Sequence, residues 1–335
     1  MSELYSPAYR EQLRLGVIGL LGTFGLSSRC EVSLLTVSEN ATFRAVDPQT
    51  GLATVVRVHR AGYHTVEEID SELAWIEALR REDIVVTPAP LARTEGGHIA
   101  HFADGTDTRQ AVAFEFMSGD EPPSDEALVA NFHTLGGLSA RLHRHARQWS
   151  RPPGFIRKTW NLATTIGDTP HWGRWQDCAD IDASGREVLE RVSTRLHERL
   201  AAYGEDEARF GLVHADLRLA NLLVEGDRLA VIDFDDCGFG WFVYDFAAAV
   251  SFIEEERFVP ELRDAWIAGY RKEAPLHAED LAAIDDLVML RRMMLTAWLN
   301  THAETPTAAE LGVGFAAGTV RLARRMLNTG SPLAR

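Results

Sequence analysis

The sequence predicts an α+β protein in two lobes, a β-rich one over residues 1–119 and a mainly helical one over residues 120–335. Three observations predict it. From Glu31 to Gly119, short apolar runs alternate with a period of two and are broken by Asn, Gly and Pro. Beyond Pro122-Pro123 the spacing becomes helical, as in Leu128, Phe132, Leu135, Leu138 and Leu142. One stretch, Val213 to Asp245 (VHADLRLANLLVEGDRLAVIDFDDCGFGWFVYD), returns to strands, and its Gly226-Asp227 pair between apolar runs marks a hairpin. With 335 residues, 46% of them hydrophobic, the chain can bury a sizeable core.

In order, Ser6 and Pro7 suit a helix start, and Leu13, Val17, Leu20, Leu21 and Phe24 form an apolar face that would pack on the first lobe. The apolar run Leu15–Leu26 is too short to span a bilayer and has no small-x-small site after it, so it is not read as a leader. EVSLLTVSE and ATFRAV form a hairpin turning near Asn40, and ATVVRVHR follows as a third strand with Val55, Arg57 and His59 on one face. A helix is expected from Thr65 to about Arg80, then an extended stretch at Thr87–Arg93, where Pro88 and Pro90 bar a central strand. Strands at His98–Ala103 and Arg109–Phe116 close the lobe. Ser124 or Asp125 can cap a helix running to about His145, with His143 and His145 as surface or packing residues. Arg151–Asp177 is irregular and carries Trp160, Trp172 and Trp175, a composition suited to packing or to walling a pocket. Helices are expected at Ile181–Tyr203, Phe246–Glu255, Pro260–Lys272, Ala278–His302 and Ala308–Leu327.

A formal charge of −15 argues against nucleic acid or an anionic membrane as partner. Cys30, Cys178 and Cys237 are odd in number and form no CxxC, which fits a reduced, cytoplasmic setting. A monomer or homodimer is expected. Lysine occurs only at 158 and 272, so the first lobe has none.

Three polar residues interrupt the apolar pattern of the 213–245 stretch: Asp216, Asn221 and, at the end of the second hairpin strand, Asp233. Their oxygens are hard ligands suited to Mg²⁺, which keeps most of its waters and needs few protein ligands. Side chains that merely satisfy turn backbone would give the same residues.

His214, Asp216, Asn221 and Asp233 follow an H-x-D-x-x-x-x-N … D order that resembles protein kinases and the aminoglycoside phosphotransferase/choline kinase superfamily. The longer match, through IDFDD and Tyr244-Asp245, is similar to bacterial phosphotransferases of the RdoA stress-kinase and homoserine-kinase-like type. Ala215 stands where that family often has Gly, Arg218 where it has His or Lys, and Asp235 where protein kinases have the Gly of DFG.

The resemblance implies a protein-kinase-like two-lobed fold with ATP between the lobes and Mg²⁺ on its phosphates. It makes Asp216 the catalytic carboxylate that takes the acceptor's hydroxyl proton, and Asn221 and Asp233 the metal ligands. Arg57 takes the place of the phosphate-binding lysine, oriented by Glu72 on the following helix. The segment Ser38-Glu39-Asn40-Ala41-Thr42 would cover the phosphates, through its amides and the Asn40 and Thr42 side chains. Phe114–Met117 would be the hinge, where Glu115 and Met117 meet adenine through the main chain. His214 would brace the loop and Asp245 tie it down. Asp235 and Asp236 would add metal or substrate contacts, or be solvated turn carboxylates. Only twelve positions separate Asp233 from Asp245, too few for a long activation segment, which favours a small hydroxylated acceptor such as an amino alcohol or an aminoglycoside-like molecule. The alternatives are a bacterial Ser/Thr protein kinase of the stress-response type and a nucleotide-binding pseudokinase, the latter suggested by Arg57.

Overall fold

The structure is a computed structural model that describes residues 6–38 and 40–334, without the side chains of residues 306 and 307; Glu39, within the segment expected over the phosphates, lies outside the described residues. Its N-terminal part is a helix, α1 (Pro7–Leu20), followed by β1 (Glu31–Val37), β2 (Ala41–Val46), β3 (Ala53–Val58), α2 (Val66–Arg81), β4 (Ala100–Asp104) and β5 (Asp107–Glu115). The strands form one antiparallel sheet in the order β1-β2-β3-β5-β4.

Alternation along these strands gives the sheet two different faces. One carries Phe43, Ala45, Val56, Val58, Ala111 and Ala113, which pack against Leu13, Val17 and Leu20 of α1. Ser6 caps α1 by accepting from the Tyr9 amide at 3.1 Å, and Asp104 anchors the helix through Tyr9 and Gln12, both at 2.6 Å. The other face turns Val55, Val112 and Phe114 toward α2 and the main core, and Arg57 shares it. Helix α2 starts at a full capping box, Thr65 with Glu68, and has Glu67 and Glu68 in its first turn and Arg80 and Arg81 in its last, in line with the helix dipole. Residues 87–93 form an extended connection that touches the sheet through Pro90 and Phe114.

The C-terminal part is mainly helical. It comprises α3 (Leu128–Gln148), β6 (Thr159–Trp160), α4 (Leu162–Thr165), α5 (Ala183–Tyr203), β7 (Phe210–Val213), β8 (Leu222–Glu225), β9 (Arg228–Val231), β10 (Gly238–Trp241), α6 (Tyr244–Ala249), α7 (Val259–Tyr270), α8 (Ala278–Thr301), α9 (Pro306–Leu311) and α10 (Phe315–Thr329). Helices α3 and α7 cross with backbones almost touching. A methyl added at Gly136 would overlap the Trp266 carbonyl, and one at Gly269 the His133 carbonyl. Helix α8 is buried nearly all round from Ala283 to Leu299, as the central helix of a helical core must be.

Several expectations needed correction. The single helix expected at 308–327 is two, because Gly312 and Gly314 (φ 73°) break it. Helix α6 ends at Ala249 rather than near Glu255, with turns following and Phe252 at φ 72°. Asn221 closes a short 3₁₀ turn before β8, and Asp233, expected at the end of the second hairpin strand, lies two residues past β9. His143 and His145, expected at the surface or in packing, are both buried and so take the packing role. Trp160, Trp172 and Trp175 are buried too. All three cysteines are free, and among the described residues no helix is long and apolar enough to cross a membrane.

Candidate active site

The loop after β7 is held from below by one buried carboxylate. Asp245, fully buried, accepts from the Ala215 amide at 2.8 Å and the His214 amide at 3.3 Å. Ala215 sits at φ 67°, a region where glycine is at ease and alanine is strained. Two hydrogen bonds from this turn to Asp245 offset that strain. Asp245 is in turn braced by His143, whose Nε2 lies at 2.9 Å and whose Nδ1 faces the Tyr270 hydroxyl at 3.0 Å. A carboxylate can only accept, so Nε2 carries the proton and Nδ1 accepts from Tyr270. Burial lowers the His143 pKa, in keeping with that neutral ring.

His214 works the same way inside the loop. Its Nε2 donates to the Ile232 carbonyl at 3.2 Å and its Nδ1 accepts from the Asp216 amide at 3.3 Å. Burial again lowers its pKa. The loop and the β8–β9 hairpin are thereby joined through one neutral imidazole.

Asp216 has both oxygens engaged. Oδ1 accepts from Arg291 Nη2 at 2.6 Å; Oδ2 accepts from Asn221 Nδ2 at 2.7 Å and from Arg218 Nε at 3.3 Å. Burial alone would raise its pKa, but the Arg218 and Arg291 guanidinium groups outweigh it and the net shift is downward. Asn221 Nδ2 also donates to the Asp216 main-chain oxygen at 2.8 Å. With its nitrogen so committed, the amide presents its carbonyl oxygen on the other side, the atom a hard cation takes.

Across the cleft, Arg57 on β3 is 5% exposed and pairs with the fully buried Glu72 of α2 at 2.6 Å and with Asp233 at 3.1 Å. Burial would lower its pKa, yet Glu72, Asp235 and Asp233 together raise it, so the guanidinium stays charged. Asp233 itself is at φ 61° with its side chain 41% exposed to the open cleft. Enclosure by the cleft walls, together with Asp235, Glu72 and Asp216, pushes its pKa up to about 7 despite Arg57. An exposed carboxylate crowded by other carboxylates is a site that gains from a bound cation.

Asp235 is not a solvated turn carboxylate. It is 5% exposed and turns away from the cleft, toward Asn40 Nδ2 at 2.8 Å, His64 Nε2 at 3.4 Å, His59 Nδ1 at 3.4 Å and Arg57 at 3.7 Å. Burial opposes its ionisation, but Arg57 and His64 hold it well below the usual carboxylate range. The Asn40 side chain is engaged here: it donates to Asp235 and accepts from the Arg60 amide at 3.1 Å. Thr42 lies opposite Arg57 in the β2–β3 register and shares its face. Glu115 ends β5; its amide already donates to Ala89 at 2.9 Å and its carboxylate faces Arg80 at 3.5 Å. Only its carbonyl and the main chain through Met117 could therefore meet an adenine. That segment leads to Asp120, which pairs with Val224 of β8 and so ties the end of β5 to the hairpin.

Beside Asp216 lies a recess of about 30 Å³ walled by Trp172, Asp216, Arg218, Asp236, Arg291 and Trp298 among others. A larger groove, about 750 Å³, lies between residues 254–261 and the C-terminal residues and contains none of the motif side chains. Chemistry rather than size locates the site. Arg291 was missed in the sequence, although an arginine pair within the apolar run LVMLRRMMLTAWL was a usable signal: a charge on the buried face of a helix must have a partner.

An antiparallel sheet and a helical bundle facing each other across acidic and basic side chains define a phosphoryl-transfer protein of the kinase-like class. The chain belongs to the phosphotransferase enzyme family, whose model matches residues 33–283, and it is accordingly a phosphotransferase. It is similar to a microcompartment-associated aminopropanol kinase, with 40% identity, 95% of this chain and 98% of that one covered, and a TM-score of 0.86. An amicoumacin kinase solved in complex with AMP-PNP and Ca²⁺ shares the fold at 22% identity, covering 96% of each chain with a TM-score of 0.72. An uncharacterized protein of Deinococcus radiodurans is 28% identical over 88% of this chain and 83% of its own length.

Proposed function

We propose that the chain is an ATP- and Mg²⁺-dependent kinase that phosphorylates the hydroxyl group of a small amino alcohol, of which aminopropanol is the leading candidate. The observation that carries the reading is the recess beside Asp216. At about 30 Å³ it takes little more than the hydroxyl-bearing end of an acceptor, set directly against the Asp216 carboxylate. The Asp236 carboxylate on its wall suits an ammonium group. The likeness to the aminopropanol kinase supports the same acceptor class.

On this reading, residues 1–119 bind the nucleotide and residues 120–335 bring the acceptor. Asn221 and Asp233 hold Mg²⁺, and the anionic surroundings of Asp233 fit that role. The metal, when bound, neutralises phosphate charge and aligns the transferring group. Arg57, fixed by Glu72, donates to the nucleotide phosphates; its fork already reaches Asp233, where the metal would sit. Thr42 stands on the same face, and the Glu115–Met117 main chain faces the base. Asp216 accepts the acceptor's hydroxyl proton, and its lowered pKa makes it an orienting group for a hydroxyl rather than a strong base. The cation and carboxylate positions are filled by groups able to act, which favours a working enzyme over a pseudokinase.

ADP release should be followed with Mg²⁺-ATP and a panel of aminopropanol, ethanolamine, homoserine, an aminoglycoside and a serine-containing peptide. The expected result is the highest kcat/KM with aminopropanol. Turnover of the peptide alone would overturn the proposal.

A further inference from the structure

We propose that Arg291 is a positioning residue of the transfer step: it holds one oxygen of Asp216 permanently, so that only the other is offered to the acceptor. This rests on Asp216 being the proton acceptor.

The guanidinium is 2% exposed at the centre of α8 and is fixed from four directions. Its Nε donates to Ser251 Oγ at 3.1 Å; Nη1 donates to the Tyr244 hydroxyl at 3.0 Å and the Ala215 carbonyl at 3.2 Å; Nη2 donates to Asp216 Oδ1 at 2.6 Å. The Trp172 ring lies over it at 4.8 Å. A group held at four donor bonds and one aromatic face has no freedom to follow substrate. Its contact with Asp216 is therefore a permanent feature of the site.

The second oxygen is held differently. Oδ2 receives Asn221 at 2.7 Å and, at 3.3 Å, Arg218, whose side chain is 25% exposed and borders the recess. At 3.3 Å, the Arg218 bond is the longest of those to Asp216. An incoming hydroxyl can replace it at Oδ2 without disturbing Arg291. In the step that follows, the acceptor oxygen forms a bond to the γ-phosphorus as the bond from that phosphorus to the ADP oxygen breaks. The hydroxyl proton passes to Asp216 Oδ2 and then to solvent. Arg291 takes no part in the bonds that change. Its effect is to fix the carboxylate's rotation, so that a lone pair of Oδ2 points into the recess.

A residue that acts through Asp216 should lose its effect when Asp216 cannot take a proton. The test is a double-mutant cycle in kcat with Arg291→Ala, Asp216→Asn and the double variant, with the ATP KM of each measured alongside. Asp216→Asn and Arg291→Ala are each expected to lower kcat about a hundredfold or more, while the double variant falls no more than about threefold below Asp216→Asn. ATP KM stays near the wild-type value throughout. Multiplicative losses in the double variant would overturn the proposal, and a normal kcat in Asp216→Asn would overturn the assignment of Asp216 itself. Should Arg291→Ala fail to fold, Arg291→Lys keeps a charge near Oδ1 but cannot grip Ser251, Tyr244 and Ala215 together. It is expected to lower kcat at least tenfold, and a wild-type kcat there would equally overturn the proposal.

Discussion

Replacing Arg57 removes two things at once, and the structure shows how to separate them. The guanidinium is 5% exposed and is the 2.6 Å partner of Glu72, which has no exposed surface. Arg57→Ala would leave that carboxylate buried and uncompensated, which costs about 3–5 kcal/mol, a large share of the about 5–15 kcal/mol that holds a typical domain together. The informative variant removes both charges, Arg57→Met with Glu72→Leu, because exchanging a whole buried pair for apolar groups is close to neutral in stability. Phosphate binding should then fall by about 1.5–3 kcal/mol, the scale of hydrogen bonds to charged groups, or roughly 10- to 150-fold in the ATP dissociation constant. Adenosine carries no phosphate and should bind as before. Losing the cation 3.1 Å from Asp233 raises that carboxylate's pKa and losing Glu72 offsets part of the rise; Arg57 is the larger influence, so the net shift is upward and the ATP deficit should shrink as pH rises above about 7 in the presence of Mg²⁺. Calorimetric titration of ATP and adenosine into wild type and the double variant reads all three effects. Equal ATP affinity in the two proteins would refute the assignment of Arg57 to the phosphates.

Because Asp233 is raised to about 7 and a cation requires its ionised form, Mg²⁺ binding should release a proton at pH 6 and almost none at pH 9, with affinity falling as pH drops through 7; titrations in buffers of different ionisation enthalpy measure this, and pH-independent affinity would count against Asp233 as ligand. Asp216→Asn should lower turnover about a hundredfold or more with ATP affinity nearly unchanged; a drop in ATP affinity at normal turnover would make Asp216 a binding residue instead. Gly136→Ala should destabilise the fold by about 1–3 kcal/mol or more, since its methyl has to displace the Trp266 carbonyl where α3 and α7 meet; an unchanged melting temperature would mean that this crossing can relax.

The sequence by itself determined the two-part architecture, since alternation and helical spacing depend only on which faces of each element meet the core. It also determined the residues of the 213–245 loop and hairpin, because their order along one short stretch fixes their order in space. The pairing of Arg57 with Glu72 was legible for a similar reason: a strand and the helix after it bring both to one side. What neighbours a side chain has across the fold was decided only by tertiary structure. Nothing local in Asn40 says that its amide will meet Asp235, 195 residues away. His143 looked like an ordinary helical histidine until packing placed it against Asp245. Arg291 lies 75 residues from Asp216 in the chain and reaches it only because α8 runs through the middle of the helical core. Local pattern fixes which groups are present and which way they face. Partnership between groups far apart in sequence depends on how whole elements pack, and that is a property of the folded chain as a whole.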